Sequence, residues 1–415
     1  MRVILLSIFL SISTAAIADD DTPWFERIVL HGFASQGYIH TTDNHFFGPS
    51  DDGSFEFTEV GINGSLSLNP KLRLSAQLLS RQAGRFDNGS PRLDYGLIDI
   101  SLYSSTTYSS GLYIGRIKNE IGLYNETRDV AHTRSAIFLP QVIYFDKVRN
   151  TIMAADGVHF YNNLDLDSGT VFMEVGTGYT LADKNVEYAY MGDDWAGSIQ
   201  NDKLGIFGKL LYEHNGGQWI YSITGTRVTL DFDAGASDRV PFPFGPGMNS
   251  GEIEIDYTVL SGQYNGEKWQ FTSEVAFENV DYLDIGGPVS QMNINSIGYY
   301  LQANYNFTPA WQAFIRYEEF QLNKHDWNGK KAARQNRINS QQLAANGINR
   351  APVPAHEYYS KSWVLGGRWH ISQNLMLRTE YHIVEGVATL SPRENDVTDT
   401  HKRWDMFAVS LSYRF

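Results

Sequence analysis

The chain ends in WDMFAVSLSYRF, residues 404–415, and this stretch decides the predicted fold. Its apolar residues alternate with small or polar ones, and the chain ends on an aromatic residue. Such alternation is typical of a β-strand with one apolar and one polar face. In an apolar environment an open strand edge leaves backbone groups unpaired at high cost. We therefore expect this last strand to pair with the first strand, around Val29 to His40, and to close the sheet into a barrel.

The same period of two runs through the interior of the chain. Between Lys71 and Arg81, leucine residues occupy one face, whereas Arg73, Gln77 and Arg81 occupy the other. Ser296 to Phe307 again has aromatic and aliphatic residues on one face, with glycine, amide residues and Tyr300 on the other. In a membrane barrel the apolar face contacts lipid and the polar face lines the lumen. A soluble β-sandwich shows similar strands, so the connections between strands must distinguish the two folds.

Short and long connections alternate along the chain. The short ones are turns near 69–70, 104–109, 164–168, 215–217, 265–266, 308–309 and 372–374. The long ones lie near 41–54, 82–92, 118–156, 182–202, 231–250, 279–293, 323–357 and 386–402. This asymmetry predicts about sixteen antiparallel strands with short periplasmic turns and long external loops, the layout of a transmembrane β-barrel. Aromatic residues beside the short turns, among them Trp219, Trp311 and Trp369, suit an interfacial girdle.

The third long connection, Lys118 to Asp156, has no sustained strand or helix period. Structureless segments of this length are uncommon in compact domains and are usually functional. It contains two apolar runs, 137–140 and 142–145, which need a surface to pack against. We expect this third external loop to fold into the barrel and to narrow its lumen.

Composition restricts the remaining possibilities. Arg2, an apolar run and the small residues up to Ala18 form a secretory signal peptide, so we predict residues 1–18 as the signal and 19–415 as a single barrel domain. No run of residues is long and apolar enough to form a transmembrane helix. Cysteine is absent, and a net charge of −14 disfavours nucleic acid as a partner.

Together, the export signal, the alternating strands, the long third loop and the terminal Phe415 resemble the bacterial outer-membrane porins. Residues 115–123, GRIKNEIGL, are similar to the junction of strand and constriction loop in phosphate-selective and related substrate-specific porins. The chain lacks the dense lysine cluster of a dedicated phosphate pore. The resemblance implies a homotrimer of water-filled barrels in the outer membrane of a Gram-negative bacterium, in contact with lipid and lipopolysaccharide. The terminal Phe415 is similar to the signal that the barrel-assembly machinery recognises.

Charged residues on the predicted polar faces suggest a field across the pore. The early strands supply basic residues, the later strands supply acidic ones, and the third loop adds arginines. The residues that we expect to line the pore or its constriction are Arg73, Arg81, Arg116, Lys118, Arg128, Arg134, Glu252, Glu254, Asp256 and Glu274. Because salt screens such a field within about 8–10 Å, it matters only at a constriction. We expect a passive channel for small hydrophilic solutes, with a modest preference for anions such as carboxylates.

Two other functions are compatible with the sequence. The long loops, above all 323–357 with its Lys and Arg residues, could serve an adhesin or receptor, although contact with lipopolysaccharide or simple solvation explains the charges as well. A hydrolase would need a nucleophile near a histidine, but the chain has no G-x-S-x-G, P-loop or H-E-x-x-H motif. His132 has no second histidine at ligand spacing, so no metal or other cofactor is expected.

Overall fold

The computed structural model describes residues 23–415 except 193–194, 242–245, 288 and 290–293; the side chain of Trp24 is also excluded. The predicted signal peptide lies outside the described residues. The strands, in chain order, are β1 (Ile28–Thr41), β2 (Ser54–Asn69), β3 (Leu72–Ala83), β4 (Asp87–Ser104), β5 (Tyr108–Lys118), β6 (Ala154–Leu166), β7 (Gly169–Thr180), β8 (Ser198–Gln200), β9 (Gly205–His214), β10 (Trp219–Asp233), β11 (Gly251–Asn265), β12 (Trp269–Leu283), β13 (Ile294–Asn306), β14 (Trp311–Gln321), β15 (Tyr359–His370), β16 (Leu375–Gly386) and β17 (Arg403–Arg414). The α-helices are α1 (Arg149–Met153), α2 (Lys184–Tyr190) and α3 (Lys330–Ala345).

These strands form a closed antiparallel barrel. Strands β8 and β9 both pair with β10 and share one position in the wall, so the barrel has 16 strand positions. The predicted seam is present, since β1 pairs with β17 from Phe33 opposite Arg414 to Thr41 opposite Met406. Backbone hydrogen bonds of 3.1 and 3.0 Å between Gly32 and Phe415 extend it to the last residue. The barrel fold predicted from the sequence is confirmed.

The connections follow the predicted asymmetry with one exception. The turn after β9 is built from Asn215, Gly216 and Gly217 at φ angles of 51°, 66° and 83°, a left-handed conformation that favours Asn and Gly. The prediction of a long connection at 82–92 is wrong. Strands β3 and β4 continue beyond their expected ends and are joined only by residues 84–86. The register of this pair shifts between Gln77 and Leu78, where β4 carries an extra residue.

The outward face of the wall is apolar between its two ends. Exposed apolar residues occupy alternate positions on neighbouring strands, as Ile223 on β10 and its cross-strand partner Leu260 on β11 illustrate. At the end with the short turns many outward residues are aromatic, and the rings of Trp311 and Trp369 stack with centroids 4.9 Å apart. This arrangement is that of an apolar lipid-facing band with an aromatic girdle.

The interior is packed on one side near the long loops. Lumen-facing Val228, Leu230, Ile253 and Ile255 are buried together with α2 and part of the segment between β5 and β6. Asp183 caps the N-terminus of helix α2. Its carboxylate accepts hydrogen bonds from the backbone N–H groups of Asn185 and Val186 at 3.0 and 3.1 Å. Among the described residues, none of the helices combines the length and apolar composition needed to span a bilayer.

The assignment of the outward face gives a first prediction. Replacement of Ile223 by Arg should destabilise the barrel by about 2–4 kcal/mol, the cost of a cation at the lipid-facing midplane of such barrels. Urea titration of the protein folded in lipid vesicles measures this change, and Ile223→Val is the control. An arginine variant as stable as the control would contradict the assignment of this face to lipid.

Candidate functional site

The centre of the candidate site is the buried carboxylate of Glu274 on β12. It accepts hydrogen bonds from the hydroxyl groups of Tyr144, Ser261 and Tyr300 at 2.7, 2.7 and 2.8 Å. The backbone N–H of Leu123 also donates to it at 2.9 Å. Tyr144 and Leu123 belong to the segment between β5 and β6, whereas Ser261 and Tyr300 belong to the wall. One carboxylate therefore joins the segment to three neighbouring strands.

A second set of bonds ties the segment to β16. The backbone N–H of Ile137 donates to the carboxylate of Glu380, and the guanidinium of Arg378 donates to the carbonyl of Ala136. Glu380 also contacts the ring of His382 at 2.9 Å. Strands β12 and β16 lie four positions apart in the wall. The segment therefore crosses the interior and is attached to well-separated parts of the barrel.

Apolar packing supports these polar attachments. Ile143 and Tyr144 are fully buried against lumen-facing aliphatic residues of β10, β11 and β12. The hydroxyl of Tyr257 donates to the carbonyl of Ile143 at 2.7 Å, so the backbone of this apolar run has a partner in the wall. A buried carbonyl without such a partner would be costly, which favours this placement of the segment.

A compact ion-pair network surrounds the base of the segment. Arg81 on β3 contacts Glu59 at 3.3 Å, Asp87 at 2.6 Å and Asp146 at 2.8 Å, and all four side chains are buried. Lys118 contacts Asp129 at 2.9 Å. Of the predicted pore-lining residues, Arg81 and Lys118 thus lie inside the barrel with their charges neutralised by acidic neighbours.

Two loop arginines that we expected at the constriction are also engaged. Arg128 contacts Asp146 at 3.4 Å and donates to the carbonyl of Tyr144 at 3.2 Å. Burial lowers the pKa of Arg128 to about 10, although Asp146 opposes the shift. Arg134 donates to the backbone carbonyls of Arg128 and Ile137. Both arginines hold the fold of the segment.

Four predicted pore-lining residues are on the wrong face. Arg116 forms a 2.7 Å ion pair with exposed Asp156, and Asp256 forms a 2.6 Å pair with exposed Arg227. On β11 the buried, inward residues are Ile253, Ile255 and Tyr257, so Glu252, Glu254 and Asp256 point away from the lumen. The sequence interpretation assumed that charged faces point inward. Near the long-loop ends of the strands, the outward face is charged instead.

The remaining candidate on the early wall, Arg73, is exposed to a cavity of about 660 Å³ that opens among β2 to β9 beneath the segment. Its lining includes the carboxylates of Asp99, Glu120, Glu126, Glu174 and Glu213 together with the basic residues Arg73, Lys118 and Lys209. Acidic groups outnumber basic ones here, so we call this cavity the acidic vestibule.

A second cavity of about 350 Å³ lies among β11 to β15, on the other side of the same segment. Its charged lining residues are Arg134, Arg316 and Arg368, and no carboxylate is among its described lining residues. We call it the basic vestibule. The interior therefore does have a basic and an acidic side, but the basic side belongs to the late strands. This is the reverse of the order expected from the sequence.

The sequence interpretation missed Arg316 and Arg368, although the signal was present. Both residues occupy inward positions in their strands, alternating with the exposed apolar residues Ile315 and Leu365. Period-two alternation on β14 and β15 would have identified them. His132 packs near His370 with ring centroids 6.2 Å apart. No group of metal-binding side chains is found among the described residues.

These features define a transmembrane β-barrel of the outer membrane, with an apolar outward band and a polar interior crossed by one long segment. The fold is that of the outer-membrane porins and places the protein in the outer membrane of a Gram-negative bacterium.

Comparison with solved structures gives three examples of this likeness. The outer-membrane channel DcaP of Acinetobacter baumannii has a TM-score of 0.57 at 9% identity, covering 94% of this chain and 97% of that one. OprB of Pseudomonas putida has a TM-score of 0.56 at 11% identity, covering 94% and 95%. An anion-selective porin from Comamonas acidovorans has a TM-score of 0.52 at 13% identity, covering 94% and 99%. No protein-family model and no curated protein sequence matches the chain.

The bonds to Glu274 yield a second prediction. Tyr144→Phe removes one donor to the buried carboxylate and should cost about 1–3 kcal/mol of stability, with noisier open-channel current because the segment is held less firmly. Urea unfolding and single-channel recording measure the two effects.

The control for this variant is Tyr161→Phe. It removes a 2.8 Å hydroxyl–carboxylate bond to Asp99, which joins two wall strands without contacting the segment. If both variants give the same current noise, the bond to Glu274 does not hold the segment.

A third prediction concerns pH. The negative charge of Glu120, together with burial within the barrel, raises the pKa of Glu126 from its ordinary 4.5 to about 8. The folded segment is therefore most stable with Glu126 protonated, and this contribution falls as the pH rises from 4.5 through about 8. Between about pH 6 and about pH 10 the acidic vestibule gains one negative charge, so we expect cation permeability to rise.

Reversal potentials in a salt gradient measure this change in cation permeability. The Glu126→Gln variant should abolish the step in reversal potential that accompanies the rise in pH. Glu213→Gln removes a carboxylate from the same vestibule and should retain it. A step of unchanged size in Glu126→Gln would exclude Glu126 as its source.

Proposed function

We propose that this protein is a passive channel for small hydrophilic solutes, in which the segment 118–156 narrows the lumen. The observation that supports this function is the segment itself, held across a closed barrel by buried hydrogen bonds at Glu274 and Glu380, with polar cavities on both sides. A segment that only filled the interior would not need two water-accessible vestibules.

We further propose a modest preference for anions, carried by the basic vestibule. The guanidinium groups of Arg316 and Arg368 line it, and no carboxylate is among its described lining residues. Arg316 is paired with Glu318 at 2.7 Å, so the positive charge that an anion meets there is mainly that of Arg368. The Comamonas acidovorans porin, which shares the fold, is anion-selective, and this agrees with the proposal at the level of the fold. The acidic vestibule opposes the preference, and we therefore expect it to be small.

The proposal also covers partners. We propose a homotrimer surrounded by lipid and lipopolysaccharide, with Phe415 serving the barrel-assembly machinery. The exposed helix α3 in the loop before β15 carries Lys330, Lys331, Arg334 and Arg337, a charge pattern suited to the phosphates of lipopolysaccharide. We also propose that the protein has no enzymatic activity, because two polar cavities beside one segment suit the passage of solutes.

Channel activity is tested by adding the purified protein to planar lipid bilayers. We expect discrete current steps, and their absence would contradict the proposed function.

The source of selectivity is tested with two arginine variants. A charge a few ångströms from the path in water changes an ion's energy by about 1 kcal/mol, which corresponds to a roughly fivefold change in permeability ratio. We expect Arg368→Gln to lower the anion-to-cation permeability ratio by up to roughly fivefold, which shifts the reversal potential toward cations. Arg116→Gln removes an equal charge from the outward face and should leave it unchanged. The reverse result would place the selective charges elsewhere.

A further inference from the structure

The basic vestibule has a second feature that the proposed channel function does not use. Its wall carries six carboxamide side chains, which we call the carboxamide wall: Gln263, Asn265, Gln270, Gln302, Asn306 and Gln312. They come from inward-facing positions or strand ends of β11 to β14. A neutral lumen could be lined with serine or threonine equally well, so the concentration of one chemical group at one side of one cavity requires an explanation.

Hydrogen bonds between the carboxamides fix their orientation. Gln263 and Gln270 both donate to Asn265, at 2.9 and 2.8 Å. This series of hydrogen-bonded carboxamides continues through Asn304, which donates to Gln270 at 2.6 Å and accepts from Gln302 at 3.0 Å. A group fixed by its neighbour loses little rotamer freedom when a ligand binds, so the wall is preorganised.

The chain of carboxamides ends at arginine. Arg316 donates through Nη1 to Gln302 at 3.2 Å and through Nε to Glu318 at 2.7 Å. Its Nη2 is buried and has no hydrogen-bond partner in the part of the chain that the structure describes. The Nε of Arg368, also on the lining, is unpartnered within the same residues. Two guanidinium donors on lining residues are therefore without a hydrogen-bond partner among the described residues.

A free acceptor lies on the same lining. Gln312 donates to Asn306 at 2.7 Å, which leaves its Oε1 buried and without a partner among the described residues. Gln312 and Arg316 line the cavity but are only 8% and 1% exposed, so bulk water offers these atoms little alternative. Unpaired buried polar groups are rare in folded proteins, and each one calls for an explanation such as a bound polar molecule.

The chemistry of this lining specifies a ligand. A hydroxyl group both donates and accepts, as a carboxamide does, so a row of carboxamides suits a row of hydroxyl groups. Guanidinium groups suit a carboxylate, which they bind by charge-assisted hydrogen bonds. A volume of about 350 Å³ falls at the lower end of the range typical of small-molecule sites, which is roughly 300–1,000 Å³.

We propose that the basic vestibule is a binding subsite for polyhydroxylated monocarboxylates of the sugar-acid type. The carboxylate binds at Arg316 and Arg368, and the hydroxyl groups bind along the carboxamide wall. Arg134 contributes charge but few free donors, since it donates to backbone carbonyls of the segment. This inference rests on the proposed channel function and names the solute that the channel would favour.

Three probes separate the two halves of the site. Galacturonate has both the hydroxyl groups and the carboxylate, galactose has only the hydroxyl groups, and acetate has only the carboxylate. Binding to the folded protein in detergent is measured by titration calorimetry, and block of single-channel current is measured in bilayers. We expect galacturonate to bind at least about tenfold more tightly than either partial probe, the effect of roughly 1.4 kcal/mol.

Two variants then test the assignment of the residues. Arg368→Gln should weaken galacturonate binding and leave galactose binding unchanged, whereas Gln312→Leu should weaken both. Asn63→Leu removes a carboxamide from the lining of the acidic vestibule and should leave galacturonate binding unchanged. Circular dichroism checks that each variant is folded, and Arg368→Gln alone suffices if Gln312→Leu does not fold.

The outcomes separate this inference from the proposed function. Equal binding of galacturonate and acetate, or unchanged galacturonate binding in folded Arg368→Gln, overturns the subsite while current steps still support a channel. Tight galacturonate binding by a protein without current steps supports the subsite and overturns the channel.

Discussion

The structure depends on the requirement that every backbone N–H and C=O group at membrane depth has a partner within the protein. The seam between β1 and β17 meets this requirement for the two terminal strands, down to the paired backbone groups of Gly32 and Phe415. Once the wall closes, side chains of each strand must alternate between lipid and lumen. The apolar outward band and the polar interior are consequences of this closure, and so is the interior space that the segment 118–156 crosses.

The segment meets the same requirement by other means. It has no strand neighbour for most of its length, so its backbone is paired with side chains of the wall, as Leu123 is with Glu274 and Ile137 is with Glu380. Its charged residues face a related constraint, because a buried charge needs an opposite charge close by. Arg81 of the wall and Asp146 of the segment form such an ion pair. Loss of one partner would leave the other uncompensated, and the wall and the segment therefore depend on each other.

The sequence predicted the parts of the fold that follow from period two and turn chemistry. The seam, the strand count and the inward position of Glu274 follow from such local patterns. The orientation of Arg116 and of Glu252, Glu254 and Asp256 does not, because a charged face points to the lumen only where the other face meets lipid. Beyond the apolar band both faces of a strand meet water or loops, and alternation no longer identifies the inward face. The pairing of Arg81 with Asp146 was equally beyond local reasoning, since the two residues lie 65 positions apart in the chain.

The division of the interior into two vestibules follows from where the segment is attached. Its bonds to β12 and β16 place it across the barrel, so that Arg316 and Arg368 lie on one side while Glu120 and Glu174 lie on the other. Physiological salt screens charges in open water within about 8 Å, but screening is weaker between groups that are partly removed from solvent. In the proposed channel the segment would therefore have two effects on a passing solute. It reduces the space available, and it keeps apart charges that in an open lumen would be screened by the solution between them.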